Sequence, residues 1–394
     1  MAAYCTSTPR SRDRDGLHGG LAWGMLPLLL GALLQGLASP GPASAPAAAR
    51  AVPAEVQAVA EAARDELLPS SPGLSFAVRR GDEVWAFAWG YAHVEDATPV
   101  TTRTRFRIAS ISKPLTALAA ALLWQQGGLD LDADVRGLVP EFTEKPWSVS
   151  ARQLGGHLGG VRHYNGTPLP TEAPGDVVDA VAVFAEDPLV TEPGTKYVYS
   201  TFGFNLLGAV VQRAAGRDFR AFVADAVCAP LGMVDTVPED AKQPFGEVAA
   251  LYEKLPAGIV AEVPRDDLGY KWPGGGYLST ASDLVRMTRA VCDERLLTAE
   301  ALALMRTSQR DTAGKATGYS FGWSVDLDSE QRLRLAHGGA QRGARAFLLV
   351  YPDLDFAVAV LANSGDSQAG SGRAVRRAAN ALLQVWTRDA DTTE

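Results

Sequence analysis

Arg107-Ile108-Ala109-Ser110-Ile111-Ser112-Lys113-Pro114, running on into Leu115-Thr116-Ala117-Leu118-Ala119-Ala120-Ala121-Leu122-Leu123-Trp124-Gln125-Gln126, is the stretch on which the fold turns. Pro114 suits the first turn of a helix, where its missing N–H costs nothing. The residues after it are apolar on nearly every side, and a helix of that kind is buried, so this one is expected to form a central spine. Ser110 and Lys113 stand three apart, on one face of such a helix. Burial would lower the lysine pKa and let its amine take the serine proton, while the helix N-terminus adds partial positive charge beside the nucleophile. Alone, Ser-x-x-Lys also reads as an N-cap serine with a surface lysine, and chance supplies about one match per chain.

Upstream, Ala54 to Leu68 carries one apolar stripe (Val56, Val59, Ala60, Ala63, Leu67) and reads as an amphipathic helix. Leu74–Val78 and Val84–Tyr91 read as strands joined at Arg80-Gly81-Asp82, and Pro99–Arg107 as an extended lead into Ser110. Downstream, Phe202–Ala215 is the clearest helix of a middle region rich in proline and glycine. Strand character returns at Tyr319–Asp326, Leu333–Ala336, Ala344–Tyr351 and Asp355–Leu361, and Gly372–Trp386 reads as a closing helix. Strands at both ends with helices between them predict an α+β fold. Its antiparallel sheet is assembled from both chain ends, with a helical lobe over about 130–264 and a cleft between. The domain reading is a targeting segment at 1–45, a lead-in and helix over 46–72, and one catalytic domain over 73–394.

The chain has 394 residues and a formal net charge of -8, with no basic run beyond Arg10, Arg12 and Arg14. That balance disfavours nucleic acid as a partner, since duplex affinity is mostly phosphate neutralisation. Those arginines, the uncharged run Leu21–Ala38 and Ala43-Ser44-Ala45 follow the order of a cleavable secretory signal. A periplasmic or secreted location is therefore expected, with an uncleaved membrane anchor as the alternative. Of the three cysteines, Cys5 would leave with the signal; Cys228 and Cys292 sit in apolar helical runs and read as small buried hydrophobes.

Two further segments give Ser110 and Lys113 company. One is Glu192-Pro193-Gly194-Thr195-Lys196-Tyr197-Val198-Tyr199-Ser200-Thr201-Phe202-Gly203-Phe204-Asn205; the other is Leu335-Ala336-His337-Gly338-Gly339-Ala340, between two strands. Ser-x-x-Lys, a tyrosine-headed triplet and a strand-borne Lys-Thr-Gly, in that order, mark the serine β-lactamases and penicillin-binding proteins. The chain resembles that superfamily in its class C and esterase-like branch, and most of all its mitochondrial β-lactamase-like members. It shares with them the look of RIASISK, of His157–Tyr164, of YSTFGFNLL, of YKWPGGGYLST and of HGGA, from about Gly73 to Leu361.

The resemblance implies a β-lactamase/transpeptidase-like fold and an acyl-enzyme on Ser110. Lys113 and Tyr199 would handle the proton, and Tyr199 would pass it to the leaving group. The backbone N–H groups of Ser110 and Ala340 would form the oxyanion hole, beside Gly339 and His337 on the strand that lines the substrate. Thr201 departs from the usual asparagine of the triplet, and His337 from the lysine of Lys-Thr-Gly, which removes a fixed positive charge. Arg342 or Arg345 could restore it, or could be solvated arginines. The activity so implied is that of a peptidase or amidase. D-Ala-type carboxypeptidase, esterase and β-lactamase are alternatives, as is a filament-forming or sensor scaffold with little turnover. The expected partner is a peptide or small acyl substrate, with self-association left open.

Gly318-Tyr319-Ser320-Phe321-Gly322 matches the G-x-S-x-G nucleophile elbow, but no helix pattern follows the serine; it reads as a strand with paired glycines. His157 and His163 are six apart, wrong for one helix face, and no metal-binding spacing occurs, so no metal or cofactor is expected. His157 reads as a structural hydrogen-bonding residue, and Gly274-Gly275-Gly276 as a turn at the cleft wall.

Overall fold

Along Gly73–Arg80, Leu74, Phe76 and Val78 alternate with Ser75, Ala77 and Arg79, and a strand sends alternate side chains to opposite faces. The computed structural model describes residues 51–164, 166, 174–240, 247–254, 260–365 and 368–391. The targeting segment expected at 1–45 lies outside them, as do parts of the loops Asn165–Asp187 and Lys242–Gly269.

The strand Gly73–Arg80 pairs antiparallel with Glu83–His93 on one side and with the C-terminal strand Phe356–Ala362 on the other. The seven-stranded sheet runs Thr98–Pro99, Glu83–His93, Gly73–Arg80, Phe356–Ala362, Ala344–Tyr351, Leu333–Gln341, Ser324–Leu327. All its pairings are antiparallel. Both chain ends therefore build it, as the sequence predicts.

Its two faces bury different company. Phe76, Val78, Val358 and Val360 meet the outer helices Ala54–Leu67 and Gln368–Asp391 through Val56, Ala60, Leu382 and Trp386. Ala77, Ala359, Leu361 and Leu348 face the helical body, in one continuous core that includes the spine and the helix Thr201–Ala215. Each large side chain so buried contributes about 1.5–3 kcal/mol, offset by the entropy of ordering it.

The spine helix spans Ser112–Gln125, and every residue from Ser112 to Leu123 is buried. Four of its inner residues are alanines (117, 119, 120 and 121), which lets neighbouring backbone approach. Gly322, at φ 90°, uses that room: a side chain there would meet Ala117 Cβ.

Two strand boundaries differ from expectation. The strand expected at Tyr319–Asp326 spans only Ser324–Leu327, because Tyr319, Phe321 and Trp323 all turn into the core. Ser320 N instead donates to Trp323 O at 2.8 Å, closing a tight turn. The strand expected to end at Ala336 continues to Gln341, paired all the way with Ala344–Tyr351. The middle region is not purely helical either: Val237–Pro238 pairs with Tyr277–Ser279, which also pairs with Phe106–Arg107. That small sheet ties the middle of the chain to the segment leading into Ser110. Among the described residues, no helix is long and apolar enough to cross a membrane.

Candidate active site

The turn that presents Ser110 is held from three sides. Arg107 and Glu239 are both buried and form a two-pronged ion pair, at 2.7 and 2.9 Å, while Arg107 also donates to Asp266 O. Ser112 Oγ donates to Ala109 O at 2.8 Å and accepts from Tyr277 N at 3.3 Å. Between these anchors Ala109 adopts φ 47°, a left-handed conformation that costs a non-glycine residue about 1–3 kcal/mol and persists only where its surroundings impose it. A single 3-10 turn, Ala109–Ile111, then feeds the spine. Ser110 is left part-exposed at the mouth of a pocket, with Lys113 fully buried beneath it.

Lys113 Nζ lies 3.1 Å from Ser110 Oγ, 2.7 Å from Gly274 O and 3.3 Å from Thr201 Oγ1. Among the described residues no carboxylate accompanies it, and burial, then the neighbouring Lys271 charge, holds its pKa well below the ordinary lysine value. A neutral amine has two N–H groups and one lone pair. Gly274 O and Thr201 Oγ1 can take the two N–H groups, which leaves the lone pair facing the Ser110 O–H. Thr201 thus fills the place of the asparagine that the triplet lacks. Asn205, four residues on, donates to Tyr270 O and makes no hydrogen bond to Lys113.

Tyr199 stands on the other side of Ser110. Burial raises its pKa to about 12, and a hydrogen bond with Ser110 opposes the rise, so the phenol keeps its proton at neutral pH. Its ring lies 4.8 Å from Lys113 Nζ. The Tyr199-Ser200-Thr201 strap is pinned by two histidines: Ser200 N donates to His157 Nδ1 at 3.2 Å, and Thr201 N to His163 Nδ1 at 3.1 Å. Accepting at Nδ1 requires a neutral ring. Burial and then the nearby Lys113 keep both neutral, His157 well below the usual value and His163 at about 4. His157 itself adopts φ 58° among glycines, the structural role expected of it.

The far wall is the strand Leu333–Gln341. Its outer neighbour Ser324–Leu327 covers it only as far as Ala336, so no strand pairs with the Gly338–Gln341 edge on that side among the described residues. Gly339 lets this edge close on the nucleophile turn, since a side chain there would collide with Ile108 O. Gly338 and Ala340 line the pocket, as the oxyanion assignment for Ala340 requires. His337 is placed differently from expectation. It is 4% exposed and does not line the pocket; its Nε2 accepts from Tyr319 O–H at 2.9 Å, and burial lowers its pKa to about 3. In this position it braces the wall from behind, through Tyr319.

The pocket encloses about 210 Å³. Arg342 and Arg345 do not line it: Arg342 sits 3.8 Å from Glu253, and Arg345 donates to Gln341 O and Ala344 O. The cation that does line it is Lys271, a residue the sequence reading missed. Its signal was available, a lysine three residues ahead of the Gly274-Gly275-Gly276 turn already expected at the cleft wall. Gly274 and Gly275 do line the cleft. Among the described residues, no group of three His, Cys, Asp or Glu side chains is placed to hold a metal ion.

The Beta-lactamase family model matches residues 59–383. The mouse (Mus musculus) "Serine beta-lactamase-like protein LACTB, mitochondrial" is 30% identical to this chain, over 74% of this chain and 71% of its own. Esterase EstB of Burkholderia gladioli is 28% identical, over 65% of this chain and 75% of its own. The solved structure of a D-stereospecific amidohydrolase from Streptomyces superposes with a TM-score of 0.66 at 25% identity, covering 82% of this chain and 97% of that one.

Proposed function

Because the chain belongs to the beta-lactamase family, a family of serine hydrolases, we propose that it cleaves amide bonds through an acyl-enzyme on Ser110, as a peptidase or amidase. The observation that carries this reading is the fully buried Lys113 amine 3.1 Å from Ser110 Oγ, with its other neighbours disposed as acceptors. In acylation Lys113 takes the Ser110 proton as Oγ attacks the carbonyl carbon. Charge on the carbonyl oxygen develops against the backbone N–H groups of Ser110 and Ala340, worth about 3 kcal/mol each. The protonated Tyr199 donates to the departing nitrogen and is reprotonated from Lys113; water then attacks the ester by the same route in reverse.

An amine leaves poorly without a proton, and a phenol held at about 12 beside the nucleophile is suited to supply one. The likeness to the D-stereospecific amidohydrolase supports the same choice, while the likeness to esterase EstB keeps ester cleavage as the nearest alternative. Position 337 lacks the lysine of Lys-Thr-Gly, while Lys271 keeps a cation in the pocket, so β-lactam hydrolysis stays among the alternatives to be tested. Export rests on residues 1–45 alone, through their basic region, apolar run and Ala43-Ser44-Ala45. The test is a comparison of kcat/KM for a peptide anilide library, a set of aryl esters and a chromogenic cephalosporin on one preparation. Amide turnover lost in Ser110→Ala is expected; efficient cephalosporin or ester turnover with no amide cleavage overturns the assignment.

A further inference from the structure

We propose that Tyr319 is a positioning residue for two walls of the site at once. Its hydroxyl, through His337, holds the strand that carries Ala340, and its ring packs against His157 behind the Tyr199 strap. This rests on the assignment of the cleft as an acyl-transfer site, and it adds to that site a residue that does not line it.

The backbone around Tyr319 is fixed before its side chain is considered. Its N–H donates to Thr317 Oγ1 at 3.2 Å, and its carbonyl accepts from Gln309 N at 2.8 Å. The residue is 3% exposed, and a phenol buried so deeply needs a hydrogen-bond partner. The Tyr319 hydroxyl finds it 2.9 Å away, at His337 Nε2. His337 Nδ1 lies 2.9 Å from Gly338 O, and a carbonyl can only accept, so Nδ1 carries the ring's proton. In the neutral ring Nε2 then holds a lone pair, and the tyrosine must be the donor. The bonds run one way, from Tyr319 to His337 to Gly338.

Gly338 stands two residues before Ala340 on a strand whose register stays regular from Leu335 to Gln341. Residues two apart in an antiparallel strand turn their N–H and C=O groups to the same edge. The oxyanion role puts the Ala340 N–H on the edge away from Ala344–Tyr351, so Gly338 O leaves by that edge too. Among the described residues no strand pairs with that edge beyond Ala336, and the His337 bond to Gly338 O steadies it instead. The ring of Tyr319 belongs to the other wall. Its centre lies 4.6 Å from that of His157, which accepts from Ser200 N and stands 4.3 Å from the Tyr199 ring. Because His157 Nδ1 accepts, its Nε2 carries the proton, and that N–H has no hydrogen-bond partner among the described residues. Ring contacts hold that side of the imidazole. Tyr319 thus sets the spacing between the general acid and the oxyanion donors, groups that must meet the same tetrahedral intermediate.

The experiment is a double-variant cycle on the full chain. Tyr319→Phe keeps the ring and removes the donor; His337→Asn keeps a donor for Gly338 O and removes Nε2. Two rates are followed, peptide anilide turnover and labelling of Ser110 by a fluorophosphonate, whose phosphoryl oxygen needs the oxyanion donors while its fluoride leaves as an anion. Tyr319→Phe is expected to lower kcat about 10-fold and labelling by a similar factor, with KM within about 2-fold and cooperative melting retained. In the His337→Asn background, removing the Tyr319 hydroxyl should change neither rate, because the link it acts through is already cut. Unchanged rates in Tyr319→Phe overturn the proposal, as do losses that simply multiply in the double variant. If wild-type Ser110 takes no label, the hydrolase reading fails first. Imidazole nitrogen NMR then decides the bond chain separately. A His337 ring protonated at Nδ1, with an Nε2 shift that moves in Tyr319→Phe, is expected; a ring protonated at Nε2 overturns it.

Discussion

Ser110 and Ser320 both stand in stretches that read as nucleophile motifs, Ser110-Ile111-Ser112-Lys113 and Gly318-Tyr319-Ser320-Phe321-Gly322. Ser110 sits part-exposed on a turn with a left-handed residue before it and an amine 3.1 Å from its hydroxyl. Ser320 is fully buried, and its hydroxyl donates to Met305 O at 2.6 Å, with Trp323 O 3.3 Å away. One hydroxyl keeps its proton available to a base; the other uses it to satisfy backbone carbonyls. A motif therefore marks a nucleophile only when its surroundings leave the hydroxyl both reachable and unoccupied.

The sharpest way to break this contrast is to remove each hydroxyl in turn. Ser110→Ala is expected to lower kcat/KM about 10³–10⁶-fold, whereas Ser320→Ala should leave it within a few-fold. Comparable losses in both variants would erase the distinction. Next in size, Lys113→Met should cost about 10²–10⁴-fold in acylation rate, measured by single-turnover kinetics. In the wild type that rate should rise with pH, because the amine must be neutral to accept a proton and burial sets its pKa well below the ordinary value. The plateau should come well short of the pH at which an exposed lysine titrates. The same shift acts on stability. The unfolded chain binds a proton at Lys113 that the folded chain does not, so stability rises with pH across that window, and Lys113→Met should melt higher at neutral pH.

Tyr199→Phe should reduce amide turnover about 100-fold and turnover of an activated aryl ester much less, since a good leaving group needs no proton. On the stability side, Arg107→Ala removes one partner of a buried ion pair that anchors the Ser110 turn. About 3 kcal/mol is expected by denaturant titration, at the low end for such a loss because Arg265 still reaches Glu239 at 3.0 Å. Ser320→Ala gives the smallest effect, about 1 kcal/mol, for one lost hydrogen bond to a buried carbonyl.

Much of this was legible in the sequence, for a physical reason. The spine is apolar all round and the edge-to-centre strands alternate, so their type and burial follow from local pattern. Ser110, Lys113, Tyr199 and Ala340 could be named because three motifs, in their order along the chain, resemble those of a serine hydrolase superfamily. What could not be read depends on contacts between distant segments. The inward turn of Tyr319 and Trp323 follows from burial against the spine, and an alternating pattern does not distinguish it from a strand. That His337 bonds Tyr319 behind the wall, that Thr201 takes the asparagine's place at Lys113, and that Lys271 supplies the pocket's cation are facts of packing.

The central claim is that Ser110, and not Ser320, is the nucleophile. Intact-mass analysis of the full chain after a fluorophosphonate, followed by peptide mapping, tests it most directly. One adduct per chain on the peptide containing Ser110, absent from Ser110→Ala and unchanged in Ser320→Ala, is the predicted result. An adduct that persists in Ser110→Ala, or maps to Ser320, would contradict it.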